Sequence, residues 1–69
     1  LIASSAPILW QGLRDPRVVV LREKLNVPGD DLFDLSLTVL VRGKQSLHGI
    51  MPSGIVDEET AEVLGMLEY

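Results

Sequence analysis

Three aspartates divide this chain, and each stands where a helix would begin: Asp15 before Pro16, Asp34 after Phe33, and Asp57 before Glu58 and Glu59. A carboxylate at an N-cap accepts a bond from a backbone N–H that the helix cannot satisfy internally. Proline suits the first helical position, and acids in the first turn favour the positive end of the helix dipole. The runs that follow the three aspartates predict an all-α chain, a small three-helix bundle with structured turns.

The first run places Val18, Leu21, Arg22 and Leu25 on one helical face. Its "VVV" is β-branched and argues for a strand, but the Asp-Pro start and the following "LREKL" favour helix. Arg22 and Lys24 fall in the last turns, where cations suit the dipole, and "NVPGDD" ends the helix. In the second run Leu37, Leu40, Val41 and Lys44 share a face, with Leu47 at its edge. Gly43 weakens this helix by about 1 kcal/mol relative to Ala. Gly49 stands where a left-handed closing residue is expected, and "MPSG" reads as a turn. The third run is predicted to bury Thr60, Ala61, Leu64 and Leu67. "GLRD" at 12–15 and "GIVD" at 54–57 share Gly, an aliphatic residue and Asp at one spacing, which suggests two similar turn-plus-helix starts. Residues 1–11 read as a linker running into a strap that lays Ile8, Leu9 or Trp10 onto the core, with the domain proper at 12–69.

A chain of 69 residues makes one domain at most. At that size folding buries only about 60% of the unfolded surface. Without cysteine there is no disulfide to compensate, and the 46% of hydrophobic residues must supply the core. The net charge is −4, from ten acidic and six basic side chains, which argues against nucleic acid as a partner. The longest apolar run, "LSLTVLV", falls far short of the roughly 20 residues that span a bilayer, so no membrane span is expected. No signal peptide is visible, and a chain beginning with Leu reads as an excised piece of a longer protein.

Catalytic chemistry finds little purchase. His48 is the sole histidine and has no zinc-site spacing around it, so its expected role is at a helix end, bonding terminal carbonyls. Asp30, Asp31 and Asp34 lack the alternation and closing Glu of an EF-hand loop. Asp57, Glu58, Glu59 and Glu62 are better explained by capping and dipole than as a hydrolytic carboxylate pair. No Cys is present, and no Ser-His pairing has a plausible orienting group. The domain is expected to be no enzyme, with no metal and no cofactor.

The ordered set "RDPRVVVLREKL", "GDDLFDLSLTVLV" and "KQSLHGIMPSGIVDEETAEVL" resembles the peptidoglycan-binding-domain-like family. Asp15, Pro16, Val18, Leu21 and Leu25 match that family's first helix. Phe33 and Asp34 match its aromatic-Asp pair, and Val41 and Gln45 its second helix. His48, Gly49, Gly54, Thr60 and Leu64 match the remainder. The Arg-Asp-Pro-Arg-Val flavour looks like the N-terminal modules of bacterial L,D-transpeptidases. Three positions depart from the pattern. Lys44 stands where an aromatic is usual and would have to snorkel its amine outward, Leu40 replaces Ala, and Ser53 replaces the Asp of an Asp-Gly turn.

The resemblance implies a non-catalytic module in the periplasm or outside the cell. Its implied partners are peptidoglycan, through glycan or stem peptide, and the catalytic domain of a parent cell-wall enzyme. The implied binding surface is Gln45, His48, Ser53 and Gly54, with Arg14 and Arg17 meeting stem-peptide carboxylates. Gln45 and Ser53 serve equally well as ligands for loop backbone. Trp10 is suited to stacking on a sugar face, although core or strap packing is the preferred expectation. Tyr69, at the terminus, is expected to fray. The alternative is a structural or protein-interaction domain that keeps the fold without the glycan site, a reading that Lys44 and Ser53 motivate.

Overall fold

The computed structural model describes residues 8–66. The expectations for residues 1–7, for Leu67 and for Tyr69 lie outside the described residues. The chain is all-α, with α1 at Pro16–Leu25, α2 at Leu35–Leu47 and α3 at Glu58–Val63. Among the described residues there is no strand, only two isolated antiparallel bridges, Leu9 with Val56 and Arg14 with Leu32.

Each helix starts on an aspartate and stops on the same motif. The Asp15 carboxylate accepts from the Arg17 N–H at 2.8 Å, Asp34 from Leu37 at 3.0 Å, and Asp57 from Thr60 at 2.9 Å. At the other ends a six-residue backbone bond closes over a left-handed residue. These bonds run from Val27 N–H to the Arg22 carbonyl (3.0 Å), from Ile50 to Gln45 (2.8 Å) and from Met66 to Ala61 (2.9 Å). The left-handed residues are Asn26, Gly49 and Gly65, at φ 60°, 75° and 76°. This is the Schellman arrangement, which satisfies carbonyls that a helix end otherwise leaves open. Gly65 therefore ends α3 sooner than a helix reaching Leu67 would require.

The core is Leu9, Val18, Leu21, Phe33, Leu37, Val41, Val56 and Ala61, all essentially inaccessible to solvent. Leu9, Phe33 and Val56 lie outside the helices, so the connecting segments contribute to the interior as the helices do. Residues 8–15 join the segments that precede α2 and α3, pairing with both. At one end Ile8 and Leu9 donate to the Val56 carbonyl (2.7 and 3.1 Å), and Val56 donates to Leu9 (2.9 Å). At the other, Gly12 donates to Phe33, Phe33 to Leu13 and Asp15 to Asp31, at 2.8 to 3.0 Å. The strap residue that enters the core is Leu9, and Trp10 remains 44% exposed. The packed unit thus begins ahead of residue 12.

The buried face of α2 is Leu37, Thr38, Val41 and Gln45. Of the face expected, Leu37 and Val41 are buried but Leu40 and Lys44 are exposed, so the stripe is turned toward Thr38 and Gln45, and Lys44 has no interior to snorkel from. The rotation follows from partners elsewhere in the chain. Thr38 meets Gln11, and Gln45 meets the loop before α3.

Arg22 is 7% exposed and makes a second buried polar anchor. Its guanidinium donates to the carbonyls of Pro28, Asp30 and Leu32 at 2.8 to 2.9 Å and to the Asp34 carboxylate at 3.2 Å. The planar fork gathers the whole α1–α2 connection, which a single ammonium is not shaped to do. Gly29, at φ 145°, packs so closely that a Cβ there would collide with this guanidinium.

Candidate functional site

The punctuated stretch from 44 to 57 wraps one side chain. Gln45 projects from α2 toward the loop and is only 1% exposed. Its amide nitrogen donates to the Ile55 carbonyl at 2.9 Å and to Thr60 Oγ1 at 3.0 Å, with Ser53 Oγ farther off at 3.4 Å. Its amide oxygen accepts from the Gly54 N–H at 2.9 Å. A backbone donor on one side and a backbone acceptor on the other fix which end of the amide is oxygen. Two amide hydrogens and two short acceptors leave the nitrogen fully committed. The Gln45 main-chain carbonyl is also taken, by Ile50. Gln45 therefore joins α2, the loop and α3, and has no free donor for a ligand.

Gly54 is buried beside it at φ 80°, where a Cβ would meet Thr38 Cγ2 at 2.8 Å and Arg42 Nε at 3.1 Å. Ser53 is exposed, and its hydroxyl accepts from the Ile55 N–H at 3.1 Å, shaping the turn. His48 caps α2 through its backbone N–H, bonded to the Lys44 and Gln45 carbonyls at 3.1 and 3.2 Å. Its imidazole is exposed and has no hydrogen-bond partner among the described residues, so the helix end is closed by main chain rather than by the ring. Leu47 and Met51 flank it, 74% and 80% exposed.

Arg14 and Arg17 belong to a different neighbourhood, the paired segments ahead of α1 and α2. Arg14 donates to Asp31 at 2.9 Å, and both side chains are largely exposed. Arg17 holds Asp15 through two bonds of 2.9 Å. That fork and the Arg17 backbone N–H lower the Asp15 carboxyl from 3.8 to about 2, and the Arg17 guanidinium is raised in turn. Asp34 is also lowered, chiefly by the Leu37 N–H and then by Arg22.

Of the six residues expected to bind, the structure thus brings Gln45, Ser53 and Gly54 into one hydrogen-bonded unit with His48 a turn away. It commits two of them, Gln45 and Gly54, to the interior, and pairs Arg14 and Arg17 with carboxylates. Spacing had marked Thr60 as a core residue, and its role as an acceptor for Gln45 depends on a contact fifteen positions apart that no local pattern signals. Among the described residues no three of His, Cys, Asp or Glu gather to hold a metal ion, and no helix is long and apolar enough to cross a membrane. The chain matches no family model, no curated protein and no solved structure.

Proposed function

We propose that this domain is a non-catalytic peptidoglycan-binding module, its helices arranged as the small bundle of that family, positioning a cell-wall transpeptidase or hydrolase in the periplasm or outside the cell. The reading is carried by one observation. The ordered pattern that resembles the family falls on residues with distinct structural duties. Asp15 and Asp34 cap helices, Phe33 fills the core, Gln45 holds the loop, Gly49 closes α2, and Gly54 fits a space too small for a side chain. A module of this kind works by effective concentration: once its parent is held on the polymer, later encounters are intramolecular, and a weak site suffices.

The test is cosedimentation of the domain with insoluble peptidoglycan in the presence of a divalent-metal chelator. Retention that survives chelation and disappears after the wall is digested supports the reading. Wild-type protein that stays in the supernatant at all wall concentrations overturns it. A second reading draws on Leu47 and Met51, large apolar side chains exposed around the end of α2. They suit docking of the parent's catalytic domain, with the fold kept and the glycan site lost. That reading expects no wall binding, and amide shifts at Leu47 and Met51 when the catalytic domain is added.

A further inference from the structure

A ring of neighbouring residues lies outside the glutamine hub. Leu9 and Val56 form the bridge and both point inward, so in a pleated antiparallel pair their neighbours Trp10 and Ile55 lie side by side on the outer face. Both are partly exposed, at 44% and 38%. Ile55 follows Gly54, whose α-carbon lies under the Arg42 side chain and against Thr38. Thr38 and Arg42 are one turn apart on α2, and the Thr38 hydroxyl lies 3.1 Å from the Gln11 side-chain amide and 3.2 Å from the Asp34 carbonyl. Gln11 follows Trp10, which brings the ring back to its start.

The charged group on this face is a cation. Among the described residues the Arg42 guanidinium has no carboxylate or other acceptor, whereas Arg14, Arg17 and Arg22 are all engaged. Among the described residues the Trp10 indole N–H has no partner either, and the Gln11 amide meets only the Thr38 hydroxyl, which leaves its other end open. In a chain of net charge −4, an uncommitted guanidinium and an open amide beside an indole ring select for an acceptor-rich, anionic ligand with an apolar face.

We propose that Trp10, Gln11 and Arg42, arranged around Gly54 and Ile55, form a subsite for a sugar ring bearing a short acidic peptide. This rests on the peptidoglycan reading and names the part of the polymer that is held. The Trp10 ring covers the apolar face of the sugar. Arg42 takes the peptide's free carboxylate through its planar fork, and the open end of the Gln11 amide bonds a neighbouring peptide group. Gly54 serves the subsite by letting the Arg42 stem lie flat on the backbone.

Trp10 is the single tryptophan, so its fluorescence reports the site directly. The domain is titrated with a soluble disaccharide-peptide carrying free carboxylates, and with the same fragment after amidation. Arg42→Gln and Trp10→Ala are compared with wild type in that titration, followed by amide shifts for Trp10→Ala, and in wall cosedimentation. Thermal melts establish that both variants are folded, as their exposed positions lead one to expect. The expected result is a saturable fluorescence change in wild type, weakened roughly tenfold by Arg42→Gln for the acidic fragment and unchanged by it for the amidated one. Wall binding with silent fluorescence, or with both variants equal to wild type, overturns this subsite and leaves the proposed function standing. Wild-type protein that binds neither wall nor fragment overturns both.

Discussion

Gln45 has the chemistry of a ligand contact and the location of a core residue. Replacing it with Leu would keep the volume and strand the Gly54 N–H, the Ile55 carbonyl and the Thr60 hydroxyl without their partner. An unsatisfied buried group costs about 1–3 kcal/mol, and some of these can turn to water, so Gln45→Leu is expected to lose about 3 kcal/mol in urea unfolding. Gln45→Glu should lose a comparable amount, because a carboxylate cannot donate to Ile55. A loss below about 1 kcal/mol in both variants would return Gln45 to the surface chemistry first expected of it. Arg22 makes the same point from the other connection. Arg22→Lys keeps the charge but cannot reach the carbonyls of Pro28, Asp30 and Leu32 together, and about 2 kcal/mol of destabilisation is expected by the same measurement. Loop bonding was one of two equal expectations for Gln45, whereas residue type marked Arg22 only as a helix-end cation. The partners of Gln45 and Arg22 lie six to fifteen positions away and are brought near only by the fold.

At the level of helices the sequence was more open to reading. N-caps are local chemistry, and all three aspartates proved to be caps. The faint GLRD and GIVD repeat is a structural one over its four residues. Gly12 and Gly54 take φ 96° and 80°, Arg14 and Val56 form the bridges, and Asp15 and Asp57 cap. Helix ends were less legible. Gly65 was passed over because Leu64 and Leu67 continue the apolar spacing, and a pattern of side chains does not register one backbone torsion. Asn26 is the informative case, the one residue other than glycine at positive φ among those described. Asn26→Gly should hold or slightly raise the thermal midpoint, whereas Asn26→Ala should cost about 1 kcal/mol, since an ordinary side chain is strained in the left-handed region. Equal midpoints for the two variants would show that the αL geometry carries no cost. The face of α2 was misread for a related reason. Hydrophobicity favoured Leu40, while the hydrogen bonds of Thr38 and Gln45 decided which side turned inward.

For the molecule as a whole, acid is the condition that tests its construction. Asp15 titrates at about 2 when folded against 3.8 as its ordinary value, and Asp34 is displaced in the same direction. Groups lowered by folding contribute stability that is complete above the ordinary value and lost as pH falls through the folded one. The thermal midpoint is therefore expected to hold down to about pH 4 and to fall between pH 4 and 2. Asp15→Asn keeps a good cap and removes the Arg17 fork, so its midpoint should be lower at neutral pH and should fall less over that interval. Parallel acid profiles for the two proteins would remove Asp15 from the account. The all-α class was legible in the three caps and a strap onto the core was expected, but the pairing of residues 8–15 with the segments before α2 and α3 was not legible, since pairing between distant backbones leaves little trace in composition. That pairing has a mechanical consequence. A pull applied at Ile8 loads the three bonds between residues 8–9 and Val56, and through them the first turn of α3. Tension from that side is thus carried across the chain to Val56 rather than along it into α1.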